Sequence, residues 1–332
     1  MKTLIRRLNF FSLISAKKLV GSSQLVAFPT ETVYGLGANV FDEEAIAKIF
    51  IAKGRPQDNP LIAHVCNKKQ ITLLARHINA DAQKIIDNFM PGSITVVLPK
   101  LPTVPQSATA GLDTVAIRMP KSSQARRFIS ACGTPIVAPS ANISGRPSPT
   151  TAEEVFADMD GKIPLILKGK KSQVGIESTV IDCTGDVPVI LRPGIITKSS
   201  IEKLLGKQVE VLTNTTQKVN SPGVRYKHYS PNCPCVLSRD GDSKKAFEHY
   251  ILQKKSGKNP VIFCLDEQKQ LFKGCETVSL GVFEQEFACN LYGALRSAEQ
   301  KYDYIIIIWY SKTEFADSVY NRLERVAGHN FI

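Results

Sequence analysis

No stretch of the 332 residues approaches the roughly 18 to 20 consecutive apolar residues that a membrane-spanning helix needs. The longest candidate, Tyr304 to Tyr310, has the length of a strand, so no contact with a bilayer interior is expected. Also missing are the common nucleotide and metal strings: no Walker A sequence, no Gly-x-Gly-x-x-Gly after a strand-like run, no His-Glu-x-x-His. Any nucleotide must therefore be held in another way. Eight cysteines show no framework spacing, and several sit in apolar runs such as Val261 to Leu265. They read as reduced packing residues of a cytoplasmic protein. Cys233 and Cys235 lie near His228, but no second pair at ligand spacing completes a metal site. With 43% hydrophobic residues the chain is neither disordered nor collagen-like.

Acidic residues are the scarcer charge, 30 against 42 basic, for a net +12. Residues 1–212 carry 26 basic and 17 acidic side chains, 213–232 carry 3 and none, and 233–332 carry 13 of each. All of the excess thus lies before residue 233, which points to an anionic partner such as a nucleotide or RNA for the first two-thirds only. The start, with Lys2, Arg6 and Arg7 before an apolar run to Ala16, faintly imitates a signal peptide. Asn9 and Ser12 interrupt the run and Lys17 and Lys18 follow, so a surface helix is expected instead.

Short β-branched runs recur between helical patterns: 25–28, 61–65, 94–98, 114–119, 136–138, 165–167, 179–182 and 189–191. So many strands within 200 residues predict a large mixed sheet. A helix from Asp42 to Lys53 starts on an aspartate cap and buries Ala45, Ile46, Ile49 and Phe50, and another starts with Thr150 and Glu153 as a capping box. Near residue 212 the pattern fails in a polar, proline-containing stretch, which reads as a linker. Strand and helix then alternate at 235–238, 243–255, 261–265, 283–300, 304–308 and 314–326, which predicts a small parallel α/β domain. The expected organisation is a domain over 1–212, a linker over 213–232 and a second domain over 233–332.

Basic and hydroxyl residues gather at strand ends. Lys53, Gly54 and Arg55 close the second helix, and Asn59 leads into a strand that carries His64. Lys53 alone reads as a cation pairing with the helix dipole. Arg55, between glycine and proline, has little but a partner to fix it. Ser140 to Ser148 follow an apolar strand with small residues that let backbone amides approach a phosphate. Glu177 and Ser178 open one strand, and Arg192, Pro193 and Gly194 close another. In open α/β sheets ligands gather at strand ends, so four such clusters mark a site. Neither Ser140 nor Ser178 has a neighbouring histidine and acid in sequence, so nucleophilic hydrolysis is not expected.

The strings Pro29-Thr30-Glu31-Thr32-Val33-Tyr34-Gly35-Leu36-Gly37, Lys53-Gly54-Arg55-Pro56, Ser140-Ala141-Asn142, Ser178-Thr179-Val180 and Arg192-Pro193-Gly194, in this order, resemble the YrdC-like threonylcarbamoyl-adenylate synthase family. The linker Ser221 to Pro231 and the trailing α/β segment resemble its long, two-domain branch. One departure is Ser93, where that pattern would have a second proline, and the helix from Asn321 matches only loosely.

The resemblance implies an α/β twisted open mixed sheet with helices and a basic cavity, followed by a small Rossmann-like parallel α/β domain. It implies a nucleotidyltransferase that makes L-threonylcarbamoyl-adenylate and pyrophosphate from L-threonine, bicarbonate and ATP, feeding the threonylcarbamoyladenosine modification of tRNA in the cytoplasm. Carried over by position, threonine would meet Thr32, His64, Arg118, the Ala138 backbone and Ser178. ATP would meet Lys53, Arg55, Asn59, Thr114, Ser140, Asn142, Ser148, Arg192 and Tyr229, with Lys53, Arg55, Ser140 and Asn142 as the catalytic set. Magnesium would travel with ATP, and downstream threonylcarbamoyl-transfer proteins and tRNA would be the partners. Ser221 to Pro231 would fold over the cavity as a lid. Without that resemblance His64 and Tyr34 read as satisfied core residues. Two rivals remain at this point: a double-stranded RNA-binding module without chemistry, and the carbamoyl-transferring hydrogenase-maturation domain, whose acylphosphatase and zinc-finger segments are not found here.

Overall fold

The computed structural model describes residues 1–212, 229–310 and 313–332, so most of the expected linker, 213–228, lies outside the described residues. Packing divides the chain into two units. One holds 1–144, 149–173 and the described part of 177–225, and the other holds 145–148, 174–176 and the described part of 226–332.

The strands of the first unit are β1 (Leu4–Arg7), β2 (Val26–Phe28), β3 (Gly35–Asn39), β4 (Ile62–His64), β5 (Ile94–Pro99), β6 (Thr114–Arg118), β7 (Ile136–Val137), β8 (Leu165–Lys168), β9 (Thr179–Asp182), β10 (Val189–Arg192) and β11 (Glu210–Val211). Its helices are α1 (Phe10–Gly21), α2 (Glu43–Lys53), α3 (Ala80–Phe89), α4 (Gln106–Thr109), α5 (Ser123–Cys132), α6 (Ala152–Met159) and α7 (Lys198–Leu205). The strands form one mixed sheet in the order β1-β8-β2-β3-β7-β4-β6-β5-β9-β10-β11.

Period-two alternation sorts the side chains of this sheet onto two faces. Ala27, Leu36, Ala38, Ala63, Val96, Ile117, Val137 and Ile166 join one large core with α2, α3, α6 and α7. Val26, Phe28, Ile136, Leu165 and Leu167 face the other way, onto α1 and α5. Farther along that second face the apolar cover shrinks to Ile62, Val97, Ala116 and Val180. The same parity puts Thr95, His64, Thr114 and Arg118 there, so the polar candidates occupy the part of the face that the helical core does not use.

Three expectations are corrected. The N-terminal surface helix is instead the edge strand β1 followed by α1: backbone bonds to the β8 region, including Leu4 N–H to Pro164 O at 3.0 Å, extend the start. Asn9 and Ser12, read as interruptions, are the reciprocal capping box of α1, each side chain accepting the other's N–H at 2.9 Å. The box expected at Thr150 and Glu153 lies one residue on, at Thr151 and Glu154, because Glu154 Oε2 collects the N–H groups of both Thr150 and Thr151. The short strands β3 and β11 lacked the apolar runs that mark the others.

The second unit is an all-parallel sheet, β12 (Cys235–Ser238), β15 (Tyr304–Ile308), β13 (Pro260–Cys264) and β14 (Thr277–Ser279) in spatial order, with α8 (Ser243–Lys255), α9 (Glu284–Ala298) and α10 (Glu314–Val326). Within it, residues 145–148 are fastened to the α9 region. Buried Arg296 donates from Nε and Nη2 to Pro147 O, Arg146 pairs with Glu299, and Ser230 N–H bonds Gly145 O at 2.9 Å. No disulfide joins the eight cysteines; Cys183, Cys235 and Cys264 are buried and the others half-buried. No helix among the described residues is long and apolar enough to cross a membrane.

The glycines of β3 have a packing cause. A Cβ at Gly37 would stand 2.9 Å from Ile136 Cγ2 and 3.0 Å from the Phe28 ring, so the β2 aromatic packs close against bare backbone. Gly37→Ala should therefore cost about 1 to 3 kcal/mol through overpacking. An unchanged urea midpoint would show that the ring has room to withdraw.

Candidate active site

Arg118 ends β6 beside His64, its register partner at the end of β4. Its buried guanidinium donates from Nε to Gly92 O at 3.3 Å, from Nη1 to Thr32 Oγ1 at 2.7 Å, and from Nη2 to Glu31 Oε1 at 2.5 Å. Thr32 is oriented in turn by Thr30, whose Oγ1 lies 2.9 Å from Thr32 Oγ1 and donates to Val33 O at 2.6 Å. Glu31 Oε2 accepts the backbone N–H of Ser122, the cap of α5, at 3.1 Å. Burial alone would raise the Glu31 pKa, but Arg118 and the N–H groups of Lys121 and Ser122 hold it below the usual carboxylate value. Ser93, the departure from the resembled pattern, is buried with its Oγ 3.4 Å from Glu31 Oε1.

His64 is fully enclosed: Nδ1 lies 3.1 Å from Ile62 O and the ring meets Phe28 edge-on. Burial, with the Arg118 charge as the next cause, pushes its pKa down to about 3. At neutral pH the imidazole is uncharged, and a proton on Nδ1 for Ile62 O leaves Nε2 as an acceptor. Next along the same edge, Ser178 Oγ lies 2.7 Å from Thr95 Oγ1 and accepts from Arg192 Nη2 at 3.2 Å, while Arg192 Nε donates to Ser178 O at 3.0 Å. The turn after Arg192 must come close: a Cβ on Gly194 would stand 2.5 Å from the Thr179 nitrogen. Arg118, His64, Thr32, Ser178 and Arg192 thus share one end of the strands β4, β6, β5, β9 and β10. Ala138, just past β7, bonds Ile62 O through its N–H at 2.9 Å.

A second group surrounds the end of α2. Lys53 is buried, and its ammonium donates to Ser140 O and Asn142 O, both at 2.6 Å. The sequence-level reading of a helix-dipole cation is thereby replaced by a clamp on the 140–142 loop. That loop is also zipped to β3, with Leu36 N–H on Pro139 O and Ala141 N–H on Tyr34 O. Arg55 Nη2 donates to Asn59 O at 3.2 Å. Asn59 is buried, and among the described residues neither its Oδ1 nor its Nδ2 has a hydrogen-bond partner. Such a group is costly unless a ligand or water meets it. Thr114 starts β6, four residues and so about 13 Å from Arg118 on the same face.

Two candidates fall in the second unit. Ser148 is buried in the segment held by Arg296. Tyr229, with φ +66, stacks on Tyr292 of α9 at 5.3 Å between ring centroids. Tyr34 is core, as read: its hydroxyl accepts Gly169 N–H at 3.1 Å, and burial pushes its pKa up to about 12. Sequence reasoning missed Glu31. Its only signal was an acid inside an otherwise hydroxyl-rich string, two positions after a proline.

A model of the Sua5/YciO/YrdC family, described as telomere recombination, matches residues 18–194, and one of the C-terminal domain of threonylcarbamoyl-AMP synthase matches 196–328. A threonylcarbamoyl-AMP synthase of Pyrococcus abyssi is 40% identical over 98% of this chain and 97% of its own length. One of Bacillus subtilis is 41% identical over 96% and 93%. The crystal structure of P. abyssi Sua5 complexed with L-threonine superposes with a TM-score of 0.92 at 38% identity, covering 100% of this chain and 98% of that one.

The neutral state of His64 sets a pH dependence. Between its ordinary value near 6.5 and about 3, the unfolded chain takes up a proton that the folded chain refuses. Its contribution to stability is complete above 6.5 and is lost progressively as pH falls toward 3. Urea midpoints should fall from pH 6.5 to 4.5, and His64→Asn should flatten that slope. An equally steep slope in the variant would place the acid sensitivity elsewhere.

Proposed function

The chain belongs to the Sua5/YciO/YrdC family, and on that premise we propose that it makes L-threonylcarbamoyl-adenylate from L-threonine, bicarbonate and ATP. The observation that carries the reading is the buried Arg118, within reach of Thr32 and His64 and at the same sheet edge as Ser178. A planar guanidinium suits the carboxylate of an amino acid, and the surrounding hydroxyls and neutral imidazole suit a small zwitterion. A protein that only tracked an RNA backbone would have no need to bury its arginine so.

In the proposed reaction the threonine amine and bicarbonate give a carbamate and water. A carbamate oxygen then attacks the α-phosphorus of ATP in line, and pyrophosphate leaves. Such a transfer asks the protein for positioning and positive charge. Arg55 and Arg192 would supply the charge, and Asn59 would give ATP a buried amide. Lys53 would shape the Ser140–Asn142 loop while adding its own charge, and Thr114 completes the proposed ATP contacts of the first unit. Magnesium would enter with ATP as part of the substrate, since the donors in this half are cations, amides and hydroxyls that suit the phosphates rather than a carboxylate cage. His64, too weakly basic to hold a proton, would accept a hydrogen bond. The intermediate would pass to threonylcarbamoyl-transfer proteins acting on tRNA in the cytoplasm.

Pyrophosphate release that requires threonine and bicarbonate together tests the whole reading, and release indifferent to either would refute it. Arg55→Ala should lower turnover on the order of a hundred-fold, about 3 kcal/mol of transition-state stabilisation, with the fold intact. Near-normal turnover in the folded variant would remove Arg55 from the reacting phosphates.

A further inference from the structure

Arg118 meets a carboxylate before any substrate arrives. Glu31 Oε1 takes one N–H of Nη2, Thr32 takes one of Nη1, and Gly92 O takes that of Nε. Three of the five guanidinium donors are so engaged among the described residues, which leaves one on each terminal nitrogen. Both partners are buried, with side-chain exposures of 5% for Arg118 and 7% for Glu31. Each Glu31 oxygen has its own anchor: Oε1 the guanidinium and, more weakly, the Ser93 hydroxyl; Oε2 the N–H of Ser122 at the start of α5.

The arrangement differs from a surface ion pair in what it constrains. A guanidinium bound at a single nitrogen could still swing about its long side chain. Bound through Nε, Nη1 and Nη2 to three separate stretches of chain, it has one plane and one azimuth. Glu31 supplies the only charged member of that set, and it is itself tied to backbone. An arginine that must present two coplanar donors to an incoming carboxylate gains most from such fixing, because free rotation would have to be lost on binding.

We propose that Glu31 is a positioning residue for the amino-acid substrate: it locks the Arg118 guanidinium so that the two remaining N–H groups are presented together to the carboxylate of threonine. The inference rests on the reading of Arg118 as the carboxylate partner. Glu31 itself touches no substrate; it acts through Arg118 and leaves the ATP half of the site alone.

The test is threonine and ATP affinity by calorimetry, with steady-state kinetics, on the full chain carrying Glu31→Gln, Glu31→Asp or Arg118→Ala, each checked for fold by circular dichroism. Glu31→Gln should raise the KM for threonine by about ten-fold to a hundred-fold, the scale of a misplaced binding group, while the ATP affinity changes less than about two-fold. Glu31→Asp keeps the charge but is one methylene short of reaching both anchors, so it should fall between wild type and Glu31→Gln; it also serves should the amide variant fail to fold. A folded Glu31 variant with normal threonine KM, beside an Arg118→Ala variant that has lost threonine, would overturn the positioning role alone. Threonine binding indifferent to Arg118→Ala would overturn the substrate reading and this inference with it. Equal losses for threonine and ATP in both Glu31 variants would reduce Glu31 to general support of the fold.

Discussion

A guanidinium and a carboxylate buried side by side constrain everything around them. Neither Arg118 nor Glu31 can be taken out of water unless its remaining hydrogen-bonding capacity is met, and losing one partner of such a pair typically costs 3 to 5 kcal/mol. The structure meets that demand with groups from distant stretches: Gly92 before β5, Thr32 before β3 and Ser122 at the cap of α5. The Pro29–Gly37 string, the Pro91–Ser93 turn and the loop after β6 are therefore held together by one ion pair. Burial does most to depress the pKa of the neighbouring His64, and the Arg118 charge adds to it while Glu31 pulls the other way.

The sheet turns this local constraint into a face. Strands alternate, so a residue type at every second position is enough to divide a hydrophobic side from a polar one. Ala63 of β4, Ile94, Val96 and Leu98 of β5 and Val115 and Ile117 of β6 belong to the large core, whereas His64, Thr95, Thr114 and Arg118 share the other face with a few small apolar neighbours. Rigid strands position these groups more narrowly than a loop could.

Much of this was legible in the sequence because it is local. The strands with β-branched runs, the α2 cap at Asp42 and most of the second domain's elements follow from periodicity and capping within a few residues. The strings around Lys53, Ser140, Ser178 and Arg192 could likewise be singled out as chemistry at strand ends, whereas the one around Thr32 came only with the family resemblance. What was not legible is tertiary. β1 exists because β8, some 160 residues later, offers it a ladder. The packing role of the two glycines of β3 shows only once Phe28 and Ile136 are seen beside them. Glu31 looked like one polar residue among several, since nothing in its neighbours discloses a partner 87 residues away.

Lys53 shows why charge alone is a poor guide to role. By composition it adds to the positive balance of the first two-thirds of the chain, and by position it could have done no more than sit at a helix end. Its ammonium instead points at two carbonyl oxygens of the 140–142 loop, 87 and 89 residues on. A lysine used this way contributes field and shape together. The loop is pulled to one end of α2 by a charge-assisted contact, and β3 holds it from the other side by backbone bonds. Arg296 acts similarly within the second unit, where a buried guanidinium grips the carbonyl of Pro147. In both cases the cation is engaged by carbonyl dipoles. The net +12 of the chain is thus partly an internal scaffold. Phosphate recognition has to be assigned cation by cation, from the geometry each one keeps, rather than from the sum.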